Sequence, residues 1–321
     1  MSVSPSSKFE IISEMMHKPD NKLNIKALCE IAGVSRSGYY AWLNSEPSRQ
    51  MREAQDRADF DQILEAYRFR GYAKGGRSIQ MRLLHHAPPI LMNLKKIRRL
   101  MKKYGLKCPI RRANPHRRMM AALKEDNYVN NLLNREFKEH GVRSVLLTDI
   151  TYLKRRDGQF SYLSAIMDAG TKEILSYVVS PSLELDFVLG TVELLIANHG
   201  KELKTDVLLH SDQGSHYTSY KFAELLKNNE IRRSMSRRAN CWDNAPQESF
   251  FGHMKEEIDI SDCKSHEEIV VVIDDWIDYY NNDRYQWDLA KLAPSEYYKY
   301  AATGVYPLTL PPTKETAKER K

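Results

Sequence analysis

Ser144–Lys154 reads "SVLLTDITYLK", a run of aliphatic and β-branched residues that is apolar on both faces. Continuous apolarity of this kind belongs to a strand covered on both sides, not to a half-exposed strand with strict alternation. One residue interrupts it. Asp149 stands among Leu147, Ile150, Tyr152 and Leu153, where a carboxylate is costly to desolvate and needs a partner whatever its role.

Downstream, Asp157-Gly158 is a turn into "QFSYLSAIMDA", and "KEILSYVVS" follows as a third strand, so the first three strands form a meander. Leu185 to Asn198 reads as a helix, "DVLLHSD" as a short buried strand, Tyr220 to Asn228 as a helix and "IRRSMS" as a brief fifth strand. A polar, basic loop then leads into "NAPQESFFGHMK", and the chain stays helical through Tyr298 before a frayed tail. The order βββαβαβα predicts an α/β fold: a mixed five-stranded sheet flanked by helices.

Upstream the period is helical. In "KLNIKALCEIAGVSRSGYYAWL", Asn24 caps one helix, Gly33 ends it and Ser35 caps the next, which is the helix-turn-helix pattern. Ser35, Arg36, Ser37 and Tyr39 open the second, recognition helix; the plain alternative is a helical hairpin. Residues 44–58 read as a connecting helix and 60–69 as a separate amphipathic one. After "GYAKGG", a helix over Ser78–His86 and another begun by Asn93 make a second helix-turn-helix candidate. Its last helix buries Leu94, Ile97, Leu100 and Met101 and turns Lys95, Lys96, Arg98, Arg99, Lys102 and Lys103 outward. The expected domains are a helix-turn-helix domain over 1–50, a second basic helical domain over 51–118, a linker over 119–140, a catalytic core over 141–300 and a flexible tail over 301–321.

Composition narrows the partners. The net charge is +7, and from Ala66 through Arg118 there is no Asp or Glu among many Lys and Arg. A one-sign segment of this length points to a polyanion, first of all nucleic acid. No apolar run approaches the ~20 residues that span a bilayer, and no signal peptide opens the chain, so a cytoplasmic, nucleoid-associated protein is expected. Cys29, Cys108, Cys241 and Cys263 are scattered without metal-site spacing.

Two further acids stand out beside Asp149. Asp212 follows "VLLHS" directly, at the C-terminal end of a buried strand, where open α/β sheets gather ligands; the plain alternative is a turn aspartate. Glu248 precedes Phe250-Phe251 near the start of a helix; the plain alternative is a first-turn acid facing the helix dipole. Converging carboxylates suit hard divalent cations such as Mg²⁺, and a pair of such ions can clamp an in-line displacement at phosphorus.

The blocks "LLTDITYLK", "LLHSDQGSHYTS" and "SMSRRANCWDNAPQESFFGHMK", in this order, resemble the three signature blocks of DDE transposases with a retroviral-integrase-type core. More narrowly they are similar to the second-reading-frame product of the bacterial insertion-sequence family numbered three, whose pattern "LCEIAGVSRSGYYAWL" and "NLKKIRRLMKKYGL" also match. The resemblance covers roughly residues 20 to 300. It implies an RNase H-like core, with Asp149, Asp212 and Glu248 as catalytic and metal-binding residues and 35 residues (248 − 212 − 1) between the last two acids. It implies two Mg²⁺ ions per site, replaceable by Mn²⁺. It implies binding of terminal inverted repeats, nicking to a 3′-hydroxyl and attack on a second phosphodiester of target DNA, by a copy-out, paste-in route. A homodimer or larger synaptic oligomer, and an upstream reading-frame product as partner, belong to the same expectation. Lys255 fits the family's phosphate-contacting lysine, seven residues after Glu248. Arg237 and Arg238 are candidate phosphate contacts, and Trp242 and Asn244 candidate DNA contacts just before the helix. A hydrolytic nuclease with the same core, and a DNA-binding regulator with an inactive core, are the alternatives.

Overall fold

The computed structural model describes residues 3–109, 141–236 and 245–308. The expected linker 119–140 lies outside them, as does the tail beyond 308. The chain divides into two compact units, Met1–Leu64 and Glu65–Lys321.

The first unit holds three short helices, α1 (Pro5–Met16), α2 (Ile25–Ala32) and α3 (Arg36–Asn44). Each begins at a side-chain cap: Ser4 Oγ accepts from Ser7 N, Asn24 Oδ1 from Ala27 N and Ser35 Oγ from Gly38 N. Gly33 takes φ +64°, the left-handed conformation that closes α2 and lets the chain turn into α3. Ile12, Leu28, Cys29 and Tyr39 form the core, with Phe9 and Trp42 against it. The segments read as two helices over 44–69 are one, α4 (Glu46–Arg68). Its only helix breaker is Pro47 in the first turn, where proline is tolerated.

In the second unit a 3₁₀ turn (Phe69–Gly71) leads to α5 (Gly76–Leu84) and α6 (Leu94–Lys103). The sheet comprises β1 (Val145–Lys154), β2 (Phe160–Asp168), β3 (Ile174–Ser180), β4 (Leu208–Ser211) and β5 (Arg232–Met235), in the order β3-β2-β1-β4-β5. The first three strands are an antiparallel meander; β4 is parallel to β1 and β5 to β4. Helix α7 (Leu185–His199) joins β3 to β4. The one-turn α8 (Ser215–Thr218) and α9 (Tyr220–Asn228) join β4 to β5, and α10 (Ala245–Glu257), α11 (His266–Asn282) and α12 (Pro294–Thr303) complete the core. This is the mixed, helix-flanked sheet that the sequence predicts, with its RNase H-like order.

Period-2 alternation assigns the two faces of the sheet. Leu153, Ala165 and Met167 pack with Phe250, Phe251 and Met254 of α10 and Ile269, Ile273 and Trp276 of α11. Leu146, Ile166 and Leu175 pack with Phe187, Val188 and Leu195 of α7 and Phe222 and Leu226 of α9. Burial on both faces explains why β1 reads as continuously apolar.

Residues 69–85 lie in the same compact unit as the core, whereas the composition placed a domain edge near residue 118. The reason is a set of long-range polar and aromatic contacts. Arg70, at φ +57°, reaches Asp283 (3.0 Å), Asp275 (3.6 Å) and, closely, Asp278. Tyr72 stacks on Tyr279 with ring centroids 4.4 Å apart. Arg82 lies 3.6 Å over the Phe69 ring and donates to the Tyr285 hydroxyl. His85 stacks on Tyr285 and lies 3.2 Å from Glu296.

Glu257, near the end of α10, is held inside: its side chain is 4% exposed and takes a two-pronged contact from Arg284 (2.7 and 3.1 Å). Trp276 Nε1 donates to the same carboxylate. Removing one member of a buried ion pair strands the other. Glu257→Ala is therefore expected to cost about 3–5 kcal/mol in chemical denaturation, and adding Arg284→Met to recover much of it; equal losses in the single and double variants would contradict this.

Candidate active site

Asp149 lies in the middle of β1, on the face that α10 covers, directly opposite Ala165 of β2. Its Oδ1 accepts from Ile150 N at 2.8 Å. Burial pushes its carboxyl up from an ordinary 3.8 to about 7; the negative fields of Asp212 and Glu248 add to this, and the Ile150 bond and Lys255 oppose it. Asp212, Glu248 and Lys255 are thus each within electrostatic reach of Asp149.

Asp212 follows the last residue of β4. The parallel register pairs Leu147 with His210, so the end of β4 brings Asp212 near Asp149, whose carboxyl feels its field. A tight turn orients Asp212: its Oδ1 accepts from Gly214 N at 2.8 Å, and a Cβ on Gly214 would fall 2.9 Å from that oxygen. A side chain at 214 would push that carboxylate oxygen aside. The strand beneath is fixed by His210, 0% exposed, whose ring nitrogens lie 2.9 and 3.0 Å from the hydroxyls of Ser234 and Ser236. On the opposite face of β1, the buried Tyr217 hydroxyl lies 3.3 Å from Thr148 Oγ1, its phenol pushed up by burial and by the fields of Asp149 and Asp212.

Glu248 and Lys255 stand seven residues apart on α10, two turns along one side of the helix. Burial raises the Glu248 carboxyl. Burial lowers the Lys255 ammonium, and Asp149 opposes that shift. Phe250, Phe251 and Met254 anchor the helix to the sheet. Its first turn also buries Gln247, which sequence reasoning missed; the signal would have been its place four residues before Phe251, on the core-facing stripe.

The donor chemistry fits a hard divalent cation. Three carboxylates supply only oxygen ligands, and burial, with the fields of Asp212 and Glu248, disfavours the Asp149 charge, a cost that a bound cation would relieve. Among the described residues no group of three His, Cys, Asp or Glu side chains is drawn together to ligating distance, so the three acids share a field rather than a closed cage.

The expected DNA contacts separate into three groups. Arg237, Arg238, Trp242 and Asn244 lie outside the described residues. On α6, Lys95, Arg98, Arg99, Lys102 and Lys103 are exposed and Lys96 is partly so, while Ile97, Leu100 and Met101 are buried, as the helical spacing predicts. On α3, Arg36 and Ser37 are exposed and Ser35 spends its hydroxyl on the helix cap. Tyr39 is corrected: at 3% exposed it packs between Phe9 and Trp42 as core, because its position one turn before Trp42 and Leu43 places it on the inner face. Tyr40, 42% exposed, is the outward aromatic of that helix.

Comparison with known proteins agrees with this fold. Residues 139–241 and 229–294 match two family models each described as an integrase core domain, and residues 54–114 match an HTH-like domain. The chain is 30% identical over 276 residues to the uncharacterized 31 kDa protein of insertion element IS600 from Shigella sonnei, covering 84% of this chain and 97% of that protein. It is 32% identical over 212 residues to an uncharacterized transposase-like protein of Haemophilus influenzae, covering 65% and 94%. With the transposase InsF for insertion sequence IS3A of Escherichia coli K12 it shares 27% over 244 residues, covering 75% and 82%.

The raised Asp149 carboxyl has a consequence for stability. Its folded value lies above its unfolded one, so the folded state holds the proton more tightly between pH 4 and 7, and stability falls as pH rises through that window. Without metal, Asp149→Asn should match the parent near pH 4 and exceed it at pH 8 by at most about 4 kcal/mol, the equivalent of a rise from 3.8 to about 7. Denaturation midpoints across pH check this; a variant less stable at pH 8 would contradict it.

Proposed function

The chain belongs to the transposases of bacterial insertion sequences that carry an integrase core, and on that premise we propose that Asp149, Asp212 and Glu248 are its catalytic carboxylates. The observation that carries the proposal is the elevated Asp149 carboxyl, held on a central strand within the fields of the other two acids. Membership makes the protein a polynucleotidyl transferase; the steps below are the reading the site supports best.

The three carboxylates would hold Mg²⁺, as two ions in the working site and replaceable by Mn²⁺. When bound, the metal supplies activation of the attacking oxygen and stabilisation of the leaving oxygen at phosphorus. The chain's own residues do the rest. Asp149, fixed by Ile150 N–H, and Asp212, fixed by the Gly214 turn, hold the scissile phosphodiester's environment in a set geometry. Lys255, beside Glu248 and under the field of Asp149, contacts a phosphate next to the cut. A first displacement by water frees a 3′-hydroxyl at the element's end, and a second, by that hydroxyl on another phosphodiester, joins DNA to DNA.

Double-stranded DNA, as terminal inverted repeats and as target, is the partner. Arg36 and Ser37 on α3 and the cations of α6 are exposed to meet it. Two ends must be brought together, so the working form is a homodimer or a larger synaptic oligomer, with an upstream reading-frame product as a further partner. No described helix is long and apolar enough to cross a membrane.

The test is Mg²⁺-dependent cleavage and joining on the element's own terminal DNA. Asp149→Asn, Asp212→Asn and Glu248→Gln should each lower cleavage on the order of 10³-fold or more while end binding persists. Unchanged function in all three would favour a DNA-binding regulator, and absence of joined product from pre-nicked ends would favour a nuclease. Lys95, Arg98 and Lys102 recur at helical spacing on one side of α6. Replacing all three with Ala should weaken binding to every sequence alike and reduce the salt dependence by roughly three counter-ions. A filter-binding salt series reads this, and an unchanged slope would rule those side chains out.

A further inference from the structure

We propose that Gln247 is a positioning residue: it seats the first turn of α10 on the sheet and so sets where the Glu248 carboxylate stands relative to Asp149. The inference rests on the reading of Glu248 as a catalytic carboxylate given above.

Gln247 is 0% exposed, although Glu248 beside it is exposed. Its Nε2 donates to the carbonyl oxygen of Ala165 at 3.3 Å. A carbonyl can only accept, so the amino end of the amide faces β2. Ala165 is the residue directly opposite Asp149 in the β1–β2 ladder. One side-chain bond therefore links the backbone position next to Glu248 with the strand next to Asp149.

The arrangement does what apolar packing cannot. Gln247, Phe251 and Met254 share one stripe of α10, and Glu248 and Lys255 share the adjacent stripe, about 100° round the helix. Contacts of Phe251 and Met254 with the sheet are non-directional and tolerate small rotations of the helix about its axis. A rotation of that kind swings Glu248 toward or away from Asp149. The amide bond is directional and resists it.

Stability does not account for the residue. Gln247 is the one polar side chain among the four buried on α10. Its Oε1 has no hydrogen-bond partner among the described residues. A buried amide satisfied at one end only is costlier than an apolar side chain of like volume. Methionine is such a side chain and keeps the fill while removing the bond.

The experiment uses the full chain with Gln247→Met and, separately, Glu248→Gln. The readouts are the thermal midpoint without metal, affinity for end DNA in Ca²⁺, Mg²⁺ binding to the protein alone by calorimetry, and kcat and KM for cleavage. For Gln247→Met the midpoint should be unchanged or higher and DNA affinity unchanged. Mg²⁺ binding and kcat should each fall roughly 10-fold or more, the size expected for residues that orient ligands, with KM for DNA unmoved. Parent-like Mg²⁺ binding and kcat in Gln247→Met, beside an inactive Glu248→Gln, would overturn this inference and leave the carboxylate reading standing. So would a lowered midpoint with parallel losses in every readout, which marks a structural role only. Parent-like cleavage by Glu248→Gln would overturn both.

Discussion

A carboxylate held within a covered sheet is the constraint on which the rest of this structure depends. Asp149 lies on the face of β1 that α10 covers, and its carboxyl rises to about 7 because burial and two neighbouring acids disfavour its charge. The protein offers little in return: one backbone N–H and the more distant field of Lys255. Such a group persists only where surrounding structure fixes it firmly. Here that structure is the apolar clusters on both faces, together with a neighbouring strand whose end brings Asp212 near it. The fold gathers carboxylates and disfavours the Asp149 charge, a cost that a bound cation would relieve, which is the arrangement a cation-dependent phosphoryl transferase requires.

The sheet and its faces were legible because their causes are local. Continuous apolarity in Val145–Lys154, the Asp157-Gly158 turn and alternation in the next two strands follow from chain geometry alone. Asp149 was legible for the same reason, since a charge amid Leu147 and Leu153 contradicts its surroundings. Asp212 and Glu248 were visible only as members of a motif, because a turn aspartate and a first-turn glutamate look the same without the register that brings them to β1. Tyr39 was misjudged: the residue's place near the start of a recognition helix suggested exposure, but its spacing to Trp42 places it inward.

What sequence reading could not reach is pairing across more than 200 positions. Arg70 with Asp278 and Asp283, Arg82 with Tyr285 and His85 with Glu296 join chain segments that no local period connects. Glu257 pairs over a shorter span, with Arg284 27 positions away, and no local period marks that contact either. Beside Glu256 it looks like half of a solvated acidic pair, yet Arg284 and Trp276 hold it inside. Composition marked the cations of residues 66–118 as candidates to meet a polyanion. It could not distinguish the few turned inward to staple this segment to the core from those on α6 that remain outside.

That stapling has a metric consequence. A reader of DNA joined to its cutting site by a slack tether can cut at a range of distances from what it reads. Residues 69–85 are instead held to α11 and α12 by Arg70, Tyr72, Arg82 and His85, within one compact unit. With α6 meeting DNA and Asp149 at the cut, as proposed, the span between them acts as a caliper: it fixes the number of base pairs between where the protein grips the duplex and the phosphate it attacks.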